Sequence, residues 1–75
     1  MLLSFVGKVL SSKKFLWLKE GDKVIVIFSD KEIPIPEGAE VSITIHDWLH
    51  LDNIPNADYT IMLTKKSNLR FTIKE

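Results

Sequence analysis

The chain has 75 residues, enough for one small domain and too few for two, because neither half could bury a core of its own. Hydrophobic residues make up 45% and charged residues 27% at a net charge of zero, which is a globular composition and excludes a disordered chain. There is no cysteine, which excludes disulfide scaffolds, thiol catalysis and cysteine-based zinc sites.

Three segments in the first part of the chain predict β-strands. Residues 2–10 have a mixed apolar pattern in which Gly7 permits a bend or a bulge. The apolar runs 15–18 and 24–28 flank a turn at Gly21, which predicts a hairpin whose glycine adopts a positive φ.

The run 24–28 lacks the alternation of a strand that has one wet face, because all five of its residues are apolar. Such a run predicts burial on both faces of the sheet. Its outer face is then covered by the connection 47–57, by a second copy of the chain or by a ligand.

The second part of the chain predicts three more strands. Residues 39–46 and 69–74 alternate apolar and polar side chains, and 59–64 is rich in β-branched and aromatic residues. Residues 65–68 are predicted to form the hairpin loop between the last two of these strands.

Few segments of this sequence can form a helix. Pro34 and Pro36 exclude an internal helix from the connection 29–38, which leaves only 47–53 for a helical turn. The predicted fold class is therefore all-β: one domain over 1–75, a small five- to six-stranded antiparallel barrel with at most one short helical turn near 47–53.

Charge is distributed unevenly along the chain. The net charge is +3 over residues 1–31, −6 over 32–58 and +3 over 59–75. If the two ends meet in the fold, the molecule has one positive and one negative side. The alternative is a mixed, solvated surface.

His46 and His50 have the spacing of paired metal ligands on a helix, with Asp47 or Asp52 to complete a site. His46 falls at an outward position of the predicted strand, so two surface histidines are preferred over a metal centre. The glycines are isolated and the pair Ser11-Ser12 has no histidine nearby in the sequence, so we expect neither an enzyme nor a cofactor.

The segment 13–19 is the strongest candidate for a binding function. As a strand it places Phe15, Trp17 and Lys19 on one face and two leucines on the other. If the leucines are buried, the aromatic rings face solvent between lysines, where bases stack and phosphates are neutralised. The opposite orientation, with the aromatic side chains in the core, fits the pattern equally well.

The order of these features resembles that of an oligonucleotide/oligosaccharide-binding (OB) fold over residues 5–46. The matching segments are Val6-Gly7-Lys8-Val9, 15–18 with Gly21, 24–28, and 36–43. The resemblance implies a five-stranded Greek-key barrel with its binding face on strands two and three. The connection 29–38 departs from the family pattern, because its two prolines replace the helix that normally joins strands three and four.

The sequence therefore predicts an OB-like barrel that binds single-stranded nucleic acid with little sequence preference, through stacking aromatic residues and backbone-following cations. The predicted binding residues are Lys13, Lys14, Phe15, Trp17, Lys19, Lys65, Lys66 and Arg70. The alternative is a protein-interaction module without nucleic-acid binding, either a homo-oligomer or a small regulatory or inhibitory protein that docks a partner.

We expect a cytoplasmic protein with no membrane partner. The longest apolar runs are about five residues, against the roughly 20 that a bilayer-spanning helix needs. No signal peptide is recognisable at the start of the sequence.

Overall fold

The prediction of an all-β protein is confirmed by a computed structural model, which describes residues 2–12, 15–52 and 54–74. These residues form five strands and no helix: β1 (Leu2–Ser11), β2 (Phe15–Glu20), β3 (Lys23–Phe28), β4 (Glu40–His50) and β5 (Tyr59–Lys74). The predicted Lys13 and Lys14 lie outside the described residues.

The five strands form one closed sheet in the order β1-β2-β3-β5-β4, with β4 paired to β1. Four of the five pairings are antiparallel, whereas β3 and β5 run parallel over a short ladder from Ile25↔Tyr59 to Phe28↔Met62. The sequence pattern predicted antiparallel pairs throughout. The parallel pair arises because β4 comes between β3 and β5 in the chain, so that β5 returns beside β3 in the same direction.

The predicted hairpin between β2 and β3 is confirmed. Glu20 pairs with Lys23, which leaves a two-residue loop, and Gly21 has a φ of 61°. Glycine with positive φ at the first loop position is the requirement of a type II′ turn, whose twist matches that of the flanking strands.

The hairpin loop predicted at 65–68 is wrong, because β5 continues through these residues. On β4, only Asp47 lies between the paired residues His46 and Trp48. On β5, the four residues 64–67 lie between their partners Asn68 and Leu63. Asp47 accommodates this bulge with a φ of 57°. The hydroxyl of Ser67 accepts from the Thr64 N–H at 2.8 Å and donates to the Asp47 carbonyl, so polar side chains hold the bulge closed.

The helical turn considered near 47–53 does not form in the described residues, because 47–50 belong to β4 and 51–52 have no regular structure. The connection to β5 contains a turn instead. The Ala57 N–H donates to the Ile54 carbonyl at 3.2 Å, and Asn56 has a φ of 71°. Proline followed by a residue with positive φ is the signature of a type II turn.

The hydrophobic core lies inside the closed sheet and receives every second residue of each strand. Its buried members are Phe5, Val9, Leu16, Leu18, Ile25, Ile27, Ile35, Val41, Ile43, Ile45 and Ile61. At the switch of β1 from β4 to β2, Gly7 lies against the backbone of Lys19 and Glu20, where a side chain would collide.

One end of the sheet is closed by the connection 29–39, in the place where the resemblance implied a helix. Ile35 is only 2% exposed and belongs to the core, and Ile33 packs against it. The segment is fixed to β1 by two hydrogen bonds, from the Gly38 N–H to the Val9 carbonyl at 2.8 Å and from the Val9 N–H to the Ala39 carbonyl at 2.9 Å. An extended apolar segment therefore covers the core without helical hydrogen bonds.

Candidate binding face

The orientation of β2, which the sequence left open, is fixed by the burial of its leucines. Leu16 and Leu18 are 2% and 0% exposed and belong to the core. Phe15 and Trp17 alternate with them, so both rings lie on the outer side of the sheet, where they are half-buried. Lys19 is exposed on the same side.

Strand β3 continues this outer face. Its inward residues, Ile25 and Ile27, are in the core, so Val24, Val26 and Phe28 point outward. The register places Trp17 opposite Val26 and Phe15 opposite Phe28. We refer to Phe15, Trp17, Lys19, Val24, Val26 and Phe28 as the β2–β3 face.

On the β2–β3 face, two aromatic rings are in contact and one valine is fully buried. The ring centroids of Phe15 and Phe28 are 5.1 Å apart at an interplanar angle of 43°. Val26 is 0% exposed although it does not belong to the core cluster, so the run 24–28 is buried on both sides at its centre, whereas Val24 and Phe28 are half-buried. Phe15, Trp17 and Phe28 therefore lie half-buried on the outer side of two neighbouring strands, with Phe15 and Phe28 in ring contact.

The connection 51–58 is anchored along the border of this face. The Leu51 N–H donates to the Thr60 carbonyl at 2.9 Å. At the start of β3, the Val24 N–H donates to the Asp58 carboxylate and the Asp58 N–H donates to the Val24 carbonyl, both at 2.8 Å. These bonds fix one margin of the face in place.

The predicted cations are not all gathered beside the aromatic rings. Lys19 lies on the β2–β3 face. Lys65 and Lys66 lie in the bulge of β5, and Arg70 is opposite Thr44 of β4, on the outer side of another part of the sheet. The resemblance to the OB fold implied instead that Lys65 and Lys66 lie in a loop near this face.

Sequence reasoning missed two further features of this region. Phe28 was seen only as part of an apolar run, although its spacing from Phe15 across the predicted hairpin would have paired them. Lys8 pairs with Lys19 on β2 and with Glu40 on β4, and Glu40 pairs with Lys74 on β5. Lys8 and Lys74, from the two basic ends of the chain, therefore lie on the strands on either side of Glu40.

The two histidines do not share a helical face. Both are exposed on β4, where His46 pairs with Leu2 and Asn68, and the His50 ring lies 5.1 Å from that of Tyr59. Over 2–12, 15–52 and 54–74, no three His, Cys, Asp or Glu side chains are grouped to hold a metal ion.

Thr60, opposite Val26 on β5, is 1% exposed, and its hydroxyl has no hydrogen-bond partner in the described part of the chain. An unpaired buried hydroxyl costs about 1–3 kcal/mol. We therefore expect Thr60→Val to raise the free energy of unfolding in urea by about 1 kcal/mol. Thr72→Val, at an exposed site on the same strand, is the control and should change little. If Thr60→Val were less stable than the unaltered protein, the result would mean that the Thr60 hydroxyl has a hydrogen-bond partner in the folded state.

Comparison of the chain with protein families, with curated proteins and with solved structures finds no significant match. Among the described residues, none forms a helix of the length and apolar character that a membrane crossing requires.

Proposed function

We propose that this protein is an OB-like barrel that binds single-stranded nucleic acid on the β2–β3 face. The observation that carries the proposal is the outward position of Phe15 and Trp17, opposite two core leucines on the same strand. Rings held on a rigid sheet offer a stacking surface that loses little conformational entropy when a base binds.

The strand order supports the barrel part of the proposal. A closed sheet of five strands, in which β2 and β3 form a hairpin, fits an OB-like barrel whose strands two and three carry the ligand. The extended connection 29–39 takes the place of the usual helix, and Ile35 supplies the apolar side chain that the core needs at that end.

The charges near the face set the expected strength and salt dependence of binding. Lys19 lies on the face, and Lys8 is its neighbour on β1. Each phosphate that a cation neutralises contributes a slope of about −0.7 to the dependence of log K on log salt for a single strand. With two such cations among the described residues and a net charge of zero over the chain, we expect weak, micromolar binding with a shallow salt dependence.

Replacement of Trp17 tests the stacking role directly. Loss of one stacked base costs about 1–3 kcal/mol, so Trp17→Ala is expected to weaken binding by about tenfold or more. The measurement is the fluorescence anisotropy of a labelled oligothymidine at 50 mM salt.

One lysine variant and one arginine variant provide a matched comparison of the two regions of positive charge. Lys19→Ala should weaken oligothymidine binding, whereas Arg70→Ala, which removes a cation from a different part of the sheet, should leave it unchanged. Absence of binding by the unaltered protein at 50 mM salt would refute the proposal, as would equal affinities for the unaltered and Trp17→Ala proteins.

A second candidate function, docking to a protein or to another copy of the chain, is favoured by apolar side chains at the surface. Leu10 is 46% exposed and Leu49 is 49% exposed, and Leu49 pairs with Met62, the β5 neighbour of Phe28. Such side chains are common in interfaces when they form one patch. Light scattering after size exclusion would reveal a dimer if the chain associates with itself.

A further inference from the structure

We propose that the open edge of β5, over residues 68–74, binds an extended acidic peptide as an additional strand. This surface is separate from the β2–β3 face, and the proposal does not depend on nucleic-acid binding. It accounts for basic residues of β5 that lie away from the aromatic rings.

The edge is open because β3 ends long before β5 does. The parallel ladder stops at Phe28↔Met62, whereas β5 continues to Lys74 with β4 on one side only. Within the described part of the chain, the backbone hydrogen bonds of the connection 29–39 go to Val9 or stay inside the connection, and none reaches β5. About half of the N–H and C=O groups of an unpaired strand edge point away from the sheet and are available to another strand.

A groove between the connection that follows β3 and residues 63–71 of β5 overlaps the first part of this edge, at Leu69 and Phe71. Its volume is about 250 Å³. Ile33 and Pro34 line one wall, and Leu63, Leu69 and Phe71 line the other. Because Leu69 and Phe71 also pack against the core, a strand added here would place every second side chain against an apolar wall that is already rigid.

The charge of β5 indicates what the remaining side chains of the added strand should be. No acidic residue occurs between Tyr59 and Lys74, and four basic ones do: Lys65, Lys66, Arg70 and Lys74. Arg70 and Lys74 are exposed on the outer side of the strand. Acidic side chains at alternate positions of a peptide would lie opposite them, as cross-strand pairs of opposite charge do.

The opposite wall does not reverse this preference. The charged residues that line the groove are Asp30, Lys31, Glu32 and Lys65, whose formal charges sum to zero, so they neither add to the preference nor oppose it. A peptide also satisfies the backbone groups of the edge, which a polynucleotide does not, because only a peptide carries N–H and C=O groups at strand spacing. An alternating acidic and apolar peptide is therefore the partner that fits.

Anisotropy of a labelled ten-residue peptide of alternating glutamate and valine tests the proposal. We expect binding that Arg70→Glu weakens about tenfold, since it replaces an attractive charge pair with a repulsive one. Lys23→Glu, which makes the same charge change at the β2–β3 hairpin, is the control and should have a much smaller effect. Trp17→Ala should leave peptide binding intact, which separates this site from the β2–β3 face.

A second peptide separates strand addition from simple charge attraction. It has the same charge but contains proline at alternate positions, which removes the N–H groups needed for a ladder. We expect it not to bind, and we expect the alternating peptide to protect backbone amides of 68–74 from hydrogen exchange. Equal binding of the two peptides, absence of binding, or protection confined to β2 and β3 would each overturn the proposal.

Discussion

Replacement of Gly7 by alanine is expected to lower the free energy of unfolding by about 3 kcal/mol, because the new methyl group has no space. A Cβ at this position would overlap the carbonyl oxygen of Lys19, lie 2.9 Å from its carbonyl carbon and lie 3.3 Å from the Cα of Glu20. All three are backbone atoms, which cannot rotate away as a side chain can. Strand β1 would have to move away from β2 at the point where it leaves β4.

Urea denaturation and thermal melting measure this effect, and a domain of this size should lose about 10 °C or more in melting temperature. Val6→Thr is the matched control, because Val6 is the preceding residue and is 58% exposed. It should change the free energy of unfolding by no more than about 0.5 kcal/mol. If Gly7→Ala were as stable as the control, β1 and β2 would not approach each other as closely as described.

The second large effect is expected for Leu18→Ala, at about 3 kcal/mol of lost stability. Leu18 is 0% exposed and lies on β2 between Trp17 and Lys19. Truncation removes apolar contacts and leaves a cavity that the surrounding strands cannot fill, because each is hydrogen-bonded to two neighbours. Since small domains are stable by only about 5–15 kcal/mol, the loss is a large part of the total.

Comparison of Leu18→Ala with Lys19→Ala tests the orientation of the whole strand. Lys19 is exposed on the opposite side, so its truncation should cost no more than about 0.5 kcal/mol in the same denaturation experiment. Similar losses for the two variants would mean that β2 has no buried side, and they would remove the basis for the β2–β3 face. A larger loss for Lys19→Ala would place the lysine side inward.

The strands and the first hairpin could be predicted from the sequence because their signals are local. Gly21 between two apolar runs specifies the type II′ turn, and alternation in 39–46 specifies the inward positions of β4. The side of β2 that faces inward could not be predicted, because Phe15 and Trp17 fill a core as well as the leucines do. The core that residues from all five strands build decides it, because Leu16 and Leu18 are buried there.

The predictions that failed concern features set by distant parts of the chain. Lys65 to Asn68 have the composition of a loop, but β4 pairs on both sides of them and holds them in one strand. Ser67, one of these residues, donates to the carbonyl of Asp47, a residue that adopts a positive φ there although it is not glycine.

The parallel contact between β3 and β5 also governs how the chain can reach its native state. The Asp58 carboxylate accepts a hydrogen bond from the Val24 N–H across 34 residues of sequence. Closing the loop between them costs chain entropy before many native contacts can offset that cost. The β2–β3 hairpin, in contrast, brings together residues that are adjacent in the chain. We therefore expect the local β2–β3 hairpin to form early and the pairing beside Asp58 to form late, at the slow rate typical of topologies with distant strand partners.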